Sequence, residues 1–317
     1  MQDIIEFITR EDHFLITCHL NADGDAYASV LAVAQMLKKM GKQYYIVVPD
    51  QQVEHRYGFL PFFDEIKPYA DDLDLGPINA AIICDAPGVR RIGDVEKLLP
   101  PVDKRLKIDH HPEENGLAKF NYVDTSASSA SKLVYHILVE MGIDLDQQLA
   151  ATIYTGTSYD TGRFSYANTA AEDYLIASML MKYPIEIHEI NRRLFLNYNA
   201  GSLSVIGYGL ANMQRFENGQ INVIYIPNHK LKDVILSDIE DLAAFSVSVE
   251  GTRVGAYIRE LKPGFLKLSL RATDETPVNE VAGHFNGGGH KRAAGCRFEG
   301  SLDTLLPKLI DTIKKYW

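Results

Sequence analysis

A chain of 317 residues is long enough for two domains with sizeable cores, and 46% hydrophobic with 23% charged residues is the balance of a soluble globular protein. No apolar run approaches the ~20 residues that a membrane span needs, and Met1-Gln2-Asp3 opens an acidic amphipathic segment rather than a basic signal peptide, so a cytoplasmic protein without membrane contact is expected. The net charge of −10 argues against broad duplex binding, and Cys18, Cys84 and Cys296, odd in number and far apart, fit buried thiols rather than disulfides or a zinc site.

In chain order, residues 1–13 predict a short helix and the apolar run 14–18 a first strand, followed at once by His19-Leu20-Asn21-Ala22-Asp23-Gly24-Asp25. Residues 25–37 then carry apolar side chains at helical spacing, with Gly41 as the C-terminal cap. Further strands are predicted at 43–48, at 80–84 running into Asp85, and at 106–108 running into Asp109-His110-His111. Asp-Gly is a common turn and Asp25 a common N-cap, so the first loop alone is also readable as plain helix-start chemistry. Three carboxylate- or histidine-bearing clusters following three strands are another matter, because open parallel sheets collect ligands at the carboxyl ends of their strands.

Ser126 to Ser131 lead into a capped helix over 132–138 that ends near Gly142. A helix over 146–154 is expected to give way to a tight loop in which Gly156 and Gly162 flank and present Asp160. Another helical stretch covers 168–182, and the polar helical segment near 184–215 reads as a connector. Beyond it come strands at 221–226, 254–258 and 266–270, a helix over 278–285, then Gly287-Gly288-Gly289-His290 and a last helix over 302–316. Strands alternating with helices predict an α/β protein: a doubly wound, mostly parallel sheet over 1–185, a helical linker over 186–215 and a smaller α/β domain over 216–317. Residues 1–199 carry a net charge of −11 and 200–317 a net +1, an acidic half suited to concentrating cations beside a half free to meet an anion.

The first half thus offers His19, Asp23, Asp25, Asp85, Asp109, His110, His111 and Asp160. Neighbouring aspartates repel one another unless compensated, and a pair of divalent cations compensates them. Imidazole and carboxylate donors without thiolate suit Mn²⁺ best, with Mg²⁺, Co²⁺ or Fe²⁺ as alternatives. Two such ions ~3.5–4 Å apart can acidify a water lying between them and neutralise a phosphoryl oxygen, which points to hydrolysis of a phosphate ester or anhydride. A spare histidine in the pair His110-His111 could protonate the leaving oxygen or steady the phosphoryl group. In the second half the three glycines could expose backbone N–H groups as a concave phosphate nest beside His290, with Arg271 as a further phosphate contact, although a glycine triplet is also an ordinary flexible turn.

His19-x-x-x-Asp23-x-Asp25, the isolated Asp85, Asp109-His110-His111 and Asp160-Thr161-Gly162 stand in the order of the four motifs of the DHH phosphoesterases. Gly287-Gly288-Gly289-His290 followed by Ala293-Ala294-Gly295 resembles the signature of the associated DHHA1 domain, so the resemblance spans essentially the whole chain. Length and the glycine-histidine motif look most like the NrnA branch, whose members degrade very short RNA to mononucleotides and often dephosphorylate 3′-phosphoadenosine 5′-phosphate. The longer RecJ exonucleases and the membrane-anchored cyclic-dinucleotide phosphodiesterases carry extra segments, and family II pyrophosphatases have a different C-terminal domain. Many members have proline where this chain has Ala22, and many differ at Thr17-Cys18, changes that spare every ligand.

The resemblance implies two Mn²⁺ ions, one on His19, Asp23 and Asp85 and the other on Asp25, Asp85, His110 and Asp160, with Asp85 bridging. It also implies that Asp109 fixes a histidine tautomer, that His111 faces the phosphate, and that Arg271, Gly287, Gly288, Gly289 and His290 grip the nucleotide from the second domain. Asp85, Asp109, His110 and His111 are the expected catalytic residues. The expected reaction is hydrolysis of short single-stranded RNA or dinucleotides to nucleoside 5′-monophosphates, with a homodimer left open. The alternatives are a cyclic-dinucleotide phosphodiesterase, an inorganic pyrophosphatase and, outside enzymes, a nucleotide-binding regulator.

Overall fold

The computed structural model describes residues 1–112 and 116–317, which divide into two compact units, Met1–Asn197 and Tyr198–Trp317. Unit 1 opens with helix α1 (Gln2–Arg10) and strand β1 (Phe14–Thr17), then helix α2 (Gly24–Lys39) and strand β2 (Tyr44–Val48). Strands β3 (Ile66–Pro68), β4 (Ala80–Cys84), β5 (Arg105–Asp109) and β6 (Phe120–Val123) complete its sheet. Helices α3 (Ala130–Glu140), α4 (Gln147–Asp160), α5 (Ala171–Leu180) and α6 (Ile187–Phe195) follow. The strand order is β3-β2-β1-β4-β5-β6 and every pairing is parallel, so the chain reverses its winding between β1 and β4. That reversal opens the crevice at their carboxyl ends in which such sheets hold ligands.

Helix α2 is the pillar of this unit. Asp23 caps it by accepting the N–H groups of Asp25 and Ala26, and Gly41, at φ 72°, lets the chain turn away after it. Every residue from Gly24 to Leu37 is buried, because α2 packs against α3, α4 and the strands β1, β2 and β4 together. Each fully buried Val or Leu there contributes roughly 1.5–3 kcal/mol. The opposite face of the sheet is covered by two 3₁₀ turns within Val89–Leu98, separated by a kink at Gly93, through Ile92 and Val95, and by the loop bearing Tyr69, Leu73 and Ile78.

Unit 2 holds helix α7 (Ala200–Ala211), strands β7 (Gln214–Phe216) and β8 (Ile221–Ile226), the short helix α8 (Leu242–Phe245), and the long strands β9 (Val254–Lys262) and β10 (Phe265–Ala272). It ends with helix α9 (Val278–Gly283), strands β11 (Gly288–His290) and β12 (Ala293–Glu299) and helix α10 (Leu302–Lys314). The sheet order is β11-β12-β10-β9-β8-β7, antiparallel except for β8 with β9. Alternation along β10 sends Leu266, Leu268 and Leu270 into the core that α9 and α10 close with Val281, Leu305 and Leu309. On the other face Ile224, Ile226 and Tyr257 pack with Val205, Ile206 and Leu242 of α7 and α8. Among the described residues, no helix is long and apolar enough to cross a membrane.

Two expectations need correction. Asp160 is not presented by a glycine loop: α4 continues through Gly156 and carries Asp160 as its last residue, because Gly156 faces Asp25 and Ser131 where a side chain would collide. Nor do the three glycines form a concave nest. Gly288, Gly289 and His290 make the edge strand β11, in register with Gly295, Ala294 and Ala293 of β12. Glycine is needed there for close approach, since a Cβ on Gly287 would lie 2.2 Å from the Gly295 carbonyl oxygen and one on Gly289 2.6 Å from that of Ala293.

Candidate metal centre

Each ligand-type side chain of unit 1 sits where a strand or helix ends. His19 follows β1, Asp85 follows β4, Asp109 closes β5 with His110 and His111 beyond it, Asp23 and Asp25 begin α2, and Asp160 ends α4. Asp85 is fully buried and occupies the left-handed region at φ 52°, while its N–H still donates to the Ile108 carbonyl of β5 at 2.9 Å. The ladder thus continues one residue past the strand and the backbone then swings the carboxylate into the crevice.

The distances bring the side chains together in three overlapping groups: His19 with Asp23 and Asp85, Asp25 with His110 and Asp160, and Asp85 with His110 and His111. Within each group the ligand atoms lie within 4.8 Å of one another. His19 Nε2 lies 3.4 Å from Asp85 Oδ2 and 3.9 Å from Asp23 Oδ2. His110 Nε2 lies 3.3 Å from Asp85 Oδ1 and 3.2 Å from Asp160 Oδ2. The two oxygens of Asp85 therefore face two different histidines. His19 Nδ1 lies 2.9 Å from the Leu20 carbonyl oxygen and 3.3 Å from the Arg91 guanidinium, and His110 Nδ1 lies 3.3 Å from the Ala127 carbonyl oxygen; a proton kept on each Nδ1 would free Nε2 to ligate once a cation displaces its own proton. Asp109 Oδ1 accepts from both the backbone N–H and Nδ1 of His111, at 3.2 and 2.9 Å.

The charges show what such a set lacks. Burial raises the Asp25 carboxyl and the charge of Asp85 adds to it, bringing it to about 7. Desolvation, with the charges of the neighbouring aspartates, also pushes Asp23 up and Asp160 well up. Burial would lower the imidazole of His19, but the Asp85 contact and the charges of Asp23 and Asp85 outweigh it and raise it to about 9. His110 reaches about 9 in the same way, through Asp85 and the charge of Asp25. Asp85 itself is held far below the usual carboxylate range, because the contacts with His110 and His19 outweigh its burial. Carboxylates that drive one another toward protonation, around histidines that draw protons, form a cage short of positive charge, and an imidazole–carboxylate donor set suits a divalent cation.

A pH dependence follows. Without metal the folded protein keeps protons on His19 and His110 up to about 9 where the unfolded chain releases them near 6.5, and on Asp25 up to about 7 where the unfolded chain releases it near 3.8. The folded state binds more protons across this window, so the stability of metal-stripped protein falls as pH rises. Chelator-treated protein is expected to lose ~5 °C or more of melting temperature between pH 6 and 9, with added Mn²⁺ restoring more at the alkaline end. A flat or rising melting temperature would contradict the charge account.

In unit 2 the named residues are spread over one sheet: Arg271 near the end of β10, Gly287 at the turn after α9, and Gly288, Gly289 and His290 on β11. Some contacts around the unit 1 centre carry no mark in the sequence. The N–H groups of Ala130 and Ser131 grip both oxygens of Asp25, and Gly156 makes room for that grip. A glycine inside an otherwise good helix was the one available signal.

The DHH family N-terminal domain matches residues 13–157 and the DHHA1 domain matches residues 229–316. The probable bifunctional oligoribonuclease and PAP phosphatase NrnA of Streptococcus mutans is 30% identical over 297 residues, 92% of this chain and 91% of that protein. The chain belongs to the DHH phosphoesterase family. The bifunctional oligoribonuclease and PAP phosphatase NrnA of Bacillus subtilis is 29% identical over 92% of this chain and 91% of its own length. The crystal structure of an exopolyphosphatase-related protein from Bacteroides fragilis superposes with a TM-score of 0.93 at 26% identity, covering 99% of this chain and 95% of that one. As a DHH phosphoesterase with these relatives, the chain is a hydrolase of phosphoric esters.

Proposed function

We propose that this DHH phosphoesterase is a two-metal phosphodiesterase that degrades very short oligoribonucleotides and linear dinucleotides to nucleoside 5′-monophosphates, and that it also removes the 3′-phosphate of 3′-phosphoadenosine 5′-phosphate. The observation that carries the reading is Asp85, whose Oδ2 lies 3.4 Å from His19 Nε2 and whose Oδ1 lies 3.3 Å from His110 Nε2, so that one carboxylate could serve two cations. The names of the Streptococcus and Bacillus relatives support the substrate class.

In this reading His19, Asp23 and Asp85 would hold one cation, and Asp25, Asp85, His110 and Asp160 would hold the other. Mn²⁺ is the ion best suited to imidazole and carboxylate donors, with Mg²⁺, Co²⁺ or Fe²⁺ able to replace it. When bound, the pair supplies positive charge for the phosphoryl oxygens and acidifies the attacking water. The chain's own groups do the rest. Asp109 accepts the Nδ1 proton of His111, which directs Nε2 of that half-buried ring to a phosphoryl or leaving oxygen. Arg271, Gly287, Gly288, Gly289 and His290 are assigned to the phosphate and nucleotide. Three free, buried cysteines accord with a reducing, cytoplasmic setting.

The test is a chromatographic time course with Mn²⁺ on four separate substrates: a 5′-phosphorylated RNA dinucleotide, a 24-mer RNA, 3′-phosphoadenosine 5′-phosphate and pyrophosphate. Rapid loss of the dinucleotide and of the bisphosphate, with the long RNA largely spared, is expected. Loss of pyrophosphate alone, or of the 24-mer at the dinucleotide rate, would overturn the substrate assignment.

A further inference from the structure

The two halves of the centre rest on different supports. His19 leans on the neighbouring Leu20 carbonyl, Asp23 on the first amides of α2, and Asp85 on the β4–β5 ladder. Asp25, His110 and Asp160 converge instead on a single segment before and within the first turn of α3. Ala127 accepts the Nδ1 proton of His110 at 3.3 Å, and the N–H groups of Ala130 and Ser131 reach Asp25 Oδ2 and Oδ1 at 2.6 and 3.0 Å. Asn168 ties in the third ligand, its Nδ2 donating to the carbonyls of both Ser128 and Asp160 at 3.2 and 3.1 Å.

That segment is itself anchored from α5. Asp173, fully buried, accepts from Ser128 Oγ at 2.6 Å and from the Ala170 N–H at 2.7 Å, and lies 3.1 Å from Lys132 Nζ. Ser128 is also fully buried and Lys132 is only 3% exposed. A buried ion pair of this kind is weak support for stability but strong support for geometry, because each partner fixes the direction of the next hydrogen bond. The chain of contacts runs from Asp173 through Ser128 and Lys132 to the Ala127–Ser131 backbone, and from there to two ligands.

We infer that Asp173, Ser128 and Asn168 are positioning residues for the Asp25–His110–Asp160 half of the centre and not for the His19–Asp23–Asp85 half. The inference rests on the reading that both halves hold a cation. Groups that orient metal ligands from behind typically govern ~10–100-fold of metal affinity. Loosening this network should therefore separate two cations that otherwise bind together. Asp173→Asn keeps the shape of the side chain, and Lys132 retains Glu172 Oε2 at 2.8 Å, so a buried charge is not stranded.

The experiment is a Mn²⁺ titration of metal-stripped protein, followed by calorimetry and by electron paramagnetic resonance, on wild type, Asp173→Asn, Ser128→Ala and Asn168→Ala. Wild type should take two Mn²⁺. In all three variants one Mn²⁺ should bind with wild-type affinity and the other ~10–100-fold more weakly, and hydrolysis of the 5′-phosphorylated dinucleotide should return at correspondingly higher Mn²⁺. Equal weakening of both ions, or a lowered melting temperature with an unchanged titration, would show a merely structural role and overturn the inference. Wild type taking fewer than two ions would instead overturn the two-metal reading beneath it, and this inference with it.

Discussion

Asp85→Asn should abolish hydrolysis while leaving the protein folded. The substitution keeps the planar shape and the left-handed backbone at φ 52°, which Asn tolerates, but removes the negative charge that both His19 and His110 face. A shared carboxylate touches both halves, so its loss should lower kcat by at least ~10³-fold, the scale of removing a principal electrostatic group. Asp85→Ala should be equally inactive and less stable by a further ~1 kcal/mol, the cost of a Cβ in the left-handed region without a side chain that bonds locally. The pair separates chemistry from strain, and wild-type turnover by either variant would refute the metal assignment.

Gly156→Ala should damage fold and site together. A Cβ there would stand 1.9 Å from Ser131 Oγ, 2.7 Å from Ser131 Cβ and 2.6 Å from Asp25 Oδ1. The hydroxyl could rotate away, but the Ser131 Cβ is carried by the helix backbone, so α3 must move and take its two amides off Asp25. Alanine gains ~1 kcal/mol in helix propensity over glycine, yet overpacking typically costs 1–3 kcal/mol, and the crowding of α2, α3 and α4 puts this site at the costly end. The melting temperature is expected to fall by ~2–6 °C, and hydrolysis by more than ~10-fold through misplacement of Asp25. Gly207→Ala in α7, where a Cβ would meet nothing within 4 Å, is the control and should stabilise slightly. A Gly156→Ala protein as stable and active as wild type would show that the Asp25 seat is not needed.

Why some of this was legible in the sequence and some was not has a physical answer. Strands β1 and β4 lie in the middle of a parallel sheet and are apolar on both faces, while β5 is apolar on one face through Leu106 and Ile108 and buries Lys107 on the other, and the polar residue that follows each run announces the crevice. That is why His19, Asp85 and Asp109-His110-His111 could be picked out as one cluster. The short edge strands β3, β6 and β7 carry no such burial, and Ile66–Pro68 or Gln214–Phe216 look like loop until a neighbour pairs with them. Asp160 was misplaced because Gly156 and Gly162 read locally as a turn, whereas Gly156 answers to a tertiary neighbour, the Asp25 carboxylate, that local propensity cannot see. The glycine triplet misled for the same reason, its glycines serving close contact with β12 rather than a free loop. The Asp173–Ser128–Asn168 support was invisible, since it joins residues up to 45 positions apart through side-chain contacts that leave no periodicity.

The claim on which everything else depends is that hydrolysis needs both halves of the centre filled. The most direct measurement is the rate of dinucleotide cleavage by metal-stripped protein as Mn²⁺ is added stepwise, with bound Mn²⁺ counted in the same samples. No turnover is expected in chelator, little with one equivalent bound, and a steep rise as the second binds. Full turnover in chelator, or a maximal rate at a single bound ion, would contradict the claim.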